Sequence, residues 1–493
     1  MDGTKPTSAL LDRDCQRHFI DGQWVDGAEG FDTYNPSTGQ VLSRLARGTA
    51  EDADRAVRAA QAAFEGPWSR MTPSDRQAIM LRFADLIEEN IEELVVLDTL
   101  EMGAPVARLP IMKARSPGVI RYYAALARTI RGETIRASAG PDVFTYTERE
   151  PVGVVAAIIP WNAPMPSALI KIGPVLATGC TMVMKPSEDA SLSIIRLVEL
   201  LEEAGLPKGV VNLITGYGVE VGAALANHPG VDKIAFTGST MTGRLMIEAS
   251  KSTFKRLSLE LGGKSPDILF ADADLDKAVP GAAMAVFANS GQICSSGTRL
   301  FVHKSIAGEV EERLAAFTRT LKVGQGMDPA TQLGPIASER QMTKVLGYLD
   351  SARTEGATAA AGGTRLTDGG RADGYFVAPT VLANVADGMT VAREKIFGPV
   401  LSMLTFEDEA EVIARANATD YGLGGGVWTR DLGRAHRVSR RLRTGTVWVN
   451  TYGLMDPSVP MGGFGASGVG REYGAEHIHE YMETRSVWIN AAE

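Results

Sequence analysis

The chain has 493 residues, 44% hydrophobic and 22% charged, with a formal net charge of -9 and a pI near 5.4. That length exceeds one ordinary core and implies two or three domains, while the acidic balance argues against nucleic-acid binding, which needs a basic face. Cys15, Cys180 and Cys294 are too few for a disulfide framework and suit a reducing compartment; residues 1–18 are polar, without the apolar segment of a secretory signal, and no run reaches the roughly 18 apolar residues of a membrane span, so a cytoplasmic protein is expected.

Residues 19–25 predict a strand closed by a turn at Asp26-Gly27. Residues 51–64 place Val57, Ala60 and Phe64 on one helical face. Thr72-Pro73 offers an N-cap followed by proline at the first helical position, ahead of a helix with Ile79, Phe83, Leu86, Ile87, Ile91, Leu94 and Val95 on one side. From 152 to 263, short apolar runs (154–159, 181–184, 210–214, 233–236 and 256–261) alternate with helical segments, the clearest at 191–204. This alternation implies a parallel sheet covered on both faces, with a ligand crevice at the C-terminal strand ends. A second alternating region, about 265–453, predicts strands at 300–303, 376–381, 400–406, 425–428 and 446–450. Two isolated strands, 143–149 and 485–489, suggest a protruding arm that pairs with something else.

Several short motifs fall where such a crevice lies. Cys294 sits in Gly291-Gln292-Ile293-Cys294-Ser295-Ser296-Gly297, where small residues allow a ligand close to the backbone; a nucleophile and a small buried residue are both open readings. Cys180, in an apolar run, fits burial alone. Glu260 ends a strand ahead of Gly262-Gly263, which makes it a desolvated base or one half of a structural ion pair. Trp161-Asn162 follows a strand, and Asn162 could donate to an oxyanion. Gly238-Ser239 opens a helix whose N-terminus suits a phosphate, although Arg244 stands where a Walker lysine would be. Lys185 and Glu188 could hold ribose hydroxyls or equally be exposed charges. The six histidines are scattered, and no metal site is expected.

In their joint order, these segments resemble the aldehyde dehydrogenase superfamily, in its NAD(P)-dependent, non-acylating, hydrolytic branch, from about residue 19 to 490. Also similar are Asn35-Pro36-Ser37-Thr38-Gly39, Ile396-Phe397-Gly398-Pro399-Val400, and Gly462-Gly463 through Ser467-Gly468-Val469-Gly470-Arg471-Glu472. The resemblance implies an α/β fold with two doubly wound parallel-sheet domains and a β-strand oligomerisation arm. Its expected division is 1–132 and 153–263 for the NAD-binding domain, 264–453 for the catalytic domain, and 133–152 with 454–493 for the arm and C-terminal segment. By the same resemblance Cys294 is the nucleophile and Glu260 the general base, and Asn162 forms the oxyanion hole with the Cys294 amide. The cofactor NAD is expected against Ile158, Trp161, Lys185, Ser187, Glu188, Gly222, Phe236, Gly238, Ser239, Leu261, Glu394 and Phe397. The aldehyde is expected against Ala163, Ser167, Ile170, Ile293, Ser295 and Met461. The implied partners are a small-molecule aldehyde and further copies of the chain, as a dimer of dimers, with no nucleic acid and no membrane.

Two departures stand out. The family usually has Glu immediately before Ile-Phe-Gly-Pro, whereas this chain has Lys395, with Glu394 one step earlier. Its Pro-Phe-Gly-Gly appears as Pro460-Met461-Gly462-Gly463, and Gly465 stands where a lysine is usual. Small or flexible side chains along the implied tunnel, with no cation and no aromatic cage among them, suggest a bulky apolar aldehyde, aromatic or terpenoid-like. A cysteine-dependent hydrolase and a semialdehyde-specific dehydrogenase are the alternatives; the presence of Glu260 disfavours a CoA-acylating variant.

Overall fold

A computed structural model describes residues 8–491, so the first seven residues of the polar N-terminal stretch lie outside it. Two parallel-rich sheets organise the chain. In the first, the parallel strands run in the spatial order Arg256–Glu260, Lys233–Thr237, Val154–Ile158, Thr181–Lys185 and Val211–Leu213. Gly468–Val469 caps one edge antiparallel, and the hairpin His18–Ile20 with Gln23–Val25 caps the other. Val154–Ile158 and Thr181–Lys185 are buried along their whole length, as strands covered by helices on both faces must be. The predicted single strand at 19–25 is therefore a hairpin. Asp21 and Gly22 take left-handed backbone angles (φ 51° and 72°) and reverse the chain inside the expected run.

The second sheet runs Thr358–Ala361, Thr380–Ala383, Val400–Phe406, Arg299–His303, Pro266–Leu269, Gly424–Trp428 and Thr446–Val449, parallel except for its first strand. The strand expected at 376–381 starts later, at Thr380, because Pro379 cannot donate to a ladder. Thr358–Ala361, Pro266–Leu269 and the hairpin Glu29–Asn35 with Gln40–Arg47 had no counterpart in the sequence reading.

Helix starts follow local chemistry. Thr72 caps Pro73–Glu89 in a capping box with Asp75, as its sequence suggests. The long apolar face expected behind it belongs to two helices, Pro73–Glu89 and Ile91–Met102, broken at Asn90, whose side chain bonds back to the Leu86 carbonyl. The strands Val143–Pro151 and Met482–Asn490 pair with each other, antiparallel from Val143↔Asn490 to Pro151↔Met482, and Thr134–Ile135 adds a third strand. Each thus finds a partner within the chain. Phe144 and its register partner Ile489 are exposed on one face of this small sheet, and Trp488 is exposed on the other. Among the described residues no helix is long and apolar enough to cross a membrane, and no His/Cys/Asp/Glu group has metal-binding geometry.

Candidate active site

Strand register aligns the first half of the site. Lys185 lies opposite Ile158, Ile158 opposite Phe236, and Thr237 opposite Glu260, so four adjacent strands end at one level. Strands about 4.8 Å apart then place the loops that follow them along one crevice. On its far side Lys185, buried, holds Glu188 at 3.1 Å. Burial works against the Glu188 charge, but Lys185 outweighs it and keeps the carboxyl below its ordinary range. Gly222 comes close to the Lys185 stem; a β-carbon there would lie 4.0 Å from Cδ. Ser187 is half-buried, its hydroxyl near the Asp189 amide (3.4 Å).

Beyond Thr237, Gly238 crosses the Phe236 ring so closely that a side chain would strike it. Ser239 then caps Thr240–Ser250 by accepting from the Thr242 amide at 3.0 Å. Met241 and Leu245, both exposed, lie four residues apart on one face of that helix, and Leu261 is buried behind Gly243. A cation–carboxylate pair, a helix N-terminus and an exposed apolar helix face fit the ribose, phosphates and base of a dinucleotide.

The second half is built from turns. Between the helix Leu275–Phe287 and the strand Arg299–His303, the chain passes through Asn289, Ser290 and Gly291, all with φ between 51° and 74°. A β-carbon at Gly291 would collide with the Gly398 carbonyl, so glycine is required where this loop meets the Phe397–Gly398–Pro399 segment. The Asn289 amide fixes the Asn162 carbonyl (3.0 Å), and the Gln292 side chain bridges the Asn289 carbonyl and the Ala337 amide. These bonds fix the backbone just ahead of Cys294 against Asn162, whose Nδ2 donates to the Gln292 carbonyl at 2.8 Å and keeps its second hydrogen free of any acceptor among the described residues. The Cys294 amide donates to no protein acceptor among the described residues. The two sheets meet at Trp161 and Phe397, whose rings stand edge-to-face with centroids 5.2 Å apart.

Glu260 is buried and its Oε1 has no hydrogen-bond partner among the described residues; a β-carbon at Gly462 would sit 2.9 Å from it. Burial raises its pKa well above the ordinary value, and Glu472 adds to the rise, while Lys171 and Arg471 oppose it. Lys171 and Glu472, which form a 2.7 Å ion pair, were given no role by the sequence reading. Lys171 also reaches Thr237 at 2.9 Å, so the pair links the end of one strand to the base. The signal was present: a lysine within Pro164–Thr178, an otherwise apolar buried helix, needs a buried counter-charge.

The tunnel residues divide. Ala163, Ser167, Ile293 and Met461 are half-buried, whereas Ile170 and Ser295 are buried. Ser295 packs under Gly424, and its carbonyl accepts from the Tyr452 hydroxyl at 2.7 Å. Tyr452 in turn stacks on Trp448, centroids 4.7 Å apart, an aromatic pair contributed by a segment outside the positions expected to line the tunnel. Glu394 is not brought into the group: it is exposed and accepts from the Tyr348 hydroxyl at 2.9 Å.

Residues 24–487 match the Aldehyde dehydrogenase family. A Bacillus subtilis protein named as an aldehyde dehydrogenase, DhaS, is 46% identical over 99% of this chain and 98% of its own. The NAD+ complex of a Bacillus cereus aldehyde dehydrogenase superposes with a TM-score of 0.95 at 44% identity, covering 98% of each chain. Betaine aldehyde dehydrogenase from Staphylococcus aureus, also solved with NAD+, gives a TM-score of 0.96 at 41% identity over 98% of this chain and 96% of its own.

Proposed function

The chain belongs to the aldehyde dehydrogenase family, and from that premise we propose that it oxidises a bulky apolar aldehyde to the free acid with NAD, Cys294 acting as nucleophile and Glu260 as base. One observation carries the assignment. A cysteine, a free side-chain amide and a buried unpartnered carboxylate converge from three separate segments at one crevice.

The Cys294 sulfur attacks the carbonyl carbon and a thiohemiacetal forms. Its oxyanion is held by the free Asn162 hydrogen and the Cys294 amide, an arrangement worth about 3–4 kcal/mol per donor in such sites. NAD, when bound, supplies the hydride acceptor that converts this adduct to a thioester. Glu260, kept basic by burial, draws a proton from water as that water attacks the thioester, and sulfur leaves as the thiolate. Lys171, ion-paired with Glu472, favours the ionised form of the base, and Glu472 opposes it. Glu188 favours NAD over NADP, since its carboxylate accepts from ribose hydroxyls and repels a 2′-phosphate.

For the substrate, half-buried Ala163 and Ser167 support a passage wide enough for an aromatic or terpenoid-like chain. The Trp448–Tyr452 pair beside Ser295 supports a second reading, a quaternary-ammonium aldehyde held by cation–π attraction. Turnover of acetaldehyde, benzaldehyde, a long-chain enal and betaine aldehyde, followed by absorbance of the reduced nicotinamide, separates the two. The wide-passage reading predicts kcat/KM rising with apolar size and reversal of that trend in Ala163→Phe. Equal efficiency with acetaldehyde and benzaldehyde would overturn it. We further propose assembly into homo-oligomers through the three-stranded sheet, which exposes the cross-strand pair Phe144 and Ile489 on one face and Trp488 on the other; a monomeric mass by light scattering would contradict this.

A further inference from the structure

Lys395 has no part in the reading above, yet its placement is specific. After the short helix Thr390–Arg393 the backbone is extended at Glu394 (φ -97°, ψ 151°), so successive side chains point to opposite sides. Glu394 turns out to Tyr348, and Lys395 turns in. The Lys395 stem fills the space that Gly262 leaves empty: a β-carbon at Gly262 would lie 2.9 Å from its Cδ and 3.0 Å from its Nζ. At the neighbouring Gly263 a β-carbon would lie 3.0 Å from the Cys294 carbonyl oxygen. The glycine pair behind Glu260 therefore has the lysine against one member and the nucleophile's backbone against the other. Lys395 Nζ stands 4.5 Å from the centre of the Phe397 ring. It makes no hydrogen bond or ion pair with any other group among the described residues. A half-buried ammonium without a carboxylate is unfavourable unless an anion faces it.

We propose that the Lys395 ammonium is the counter-charge of the Cys294 thiolate, a positioning residue that keeps the nucleophile ionised before the aldehyde arrives. The proposal rests on the reading of Cys294 as nucleophile. In the step it assists, the S–H bond breaks, the proton passes to water, and Lys395 keeps its own protons. The Ser295 amide also favours the thiolate by a hydrogen bond, but among charged and titratable side chains the task falls to Lys395: Cys294 otherwise faces Glu260, Glu472 and Tyr452, none of which favours an anion, and the charges near Lys395 are the cations Lys344 and Lys264. The electrostatics agree in direction. Burial pushes the Cys294 thiol up and Lys395 opposes it; burial pushes Lys395 down to about 8 and Cys294 opposes that.

The test is the pH dependence of iodoacetamide alkylation at Cys294, read by mass spectrometry of its peptide, in the full chain without cofactor or aldehyde. Wild type is compared with Lys395→Met, Lys395→Gln and Lys395→Arg, with thermal melting to check the fold. The neutral variants should move the midpoint at least about one unit upward, which slows alkylation roughly tenfold at neutral pH, and Lys395→Arg should restore the wild-type profile. Lys395→Gln keeps a polar tip and serves if Met disturbs folding. A folded neutral variant with an unchanged midpoint would overturn the proposal. Because the assay involves no turnover, a protein inert towards aldehydes but with a Lys395-dependent profile would sink the dehydrogenase reading and leave the ion pair standing.

Discussion

The two halves of the crevice are built by different physics. The dinucleotide side is a row of parallel strand ends, and register alone brings Lys185, Ile158 and Phe236 level, with Glu260 one residue further on, opposite Thr237. The nucleophile side is a loop with three consecutive left-handed residues, pinned by side-chain amides and pressed against a segment about 100 residues further along the chain. The first half tolerates local change because its backbone is fixed by ladders. The second depends on individual side chains and on glycines that admit close approach.

That contrast predicts separable failures. The largest is Cys294→Ala, which should abolish aldehyde oxidation while NAD affinity, measured by calorimetry, stays within about twofold; loss of both would mean that the halves are not independent. Asn162→Ala should lower kcat about 10²- to 10³-fold with little change in NAD affinity, and steady-state kinetics with saturating cofactor checks it. Gly291→Ala should destabilise the protein by about 2–4 kcal/mol, since it adds a side chain at positive φ and against the Gly398 carbonyl. A melting curve indistinguishable from wild type would show that the loop relaxes freely. The smallest effect belongs to the dinucleotide half: Glu188→Gln should shift the NADP-to-NAD ratio of kcat/KM roughly tenfold towards NADP, as one charged contact is neutralised.

The same contrast explains what the sequence disclosed. Alternating apolar runs located the parallel strands of the first sheet within a residue or two, because a strand buried on both faces has to be apolar throughout. Loops at strand ends followed from that, and with them Asn162, Lys185 and Ser239. The hairpin at Asp21-Gly22 was legible, since Asp-Gly between two apolar pairs is a turn signature, but the turn was placed at Asp26-Gly27 instead. Thr358–Ala361 was missed because alanines carry no period-2 signal. Lys171 and Glu472 were illegible as a pair: they are 301 residues apart, and only the packing of the helix Pro164–Thr178 against the C-terminal segment joins them. The inward turn of Lys395 and the outward turn of Glu394 depend on one extended residue after a short helix, a one-step register that composition does not encode.

The central claim is that one thiol carries the acyl group and one buried carboxylate releases it. Glu260→Gln tests both at once when mixed rapidly with NAD and a reactive aldehyde, followed by absorbance of the reduced nicotinamide and intact-protein mass. Burial raises the Glu260 pKa, and the group works as a base only when ionised, so replacing it removes hydrolysis at every pH and leaves the earlier step in place. The account predicts a single burst of reduced cofactor, at most one per site, and an acyl mass adduct on the Cys294 peptide that persists. Sustained turnover at the wild-type rate, or an adduct on any other residue, would contradict it.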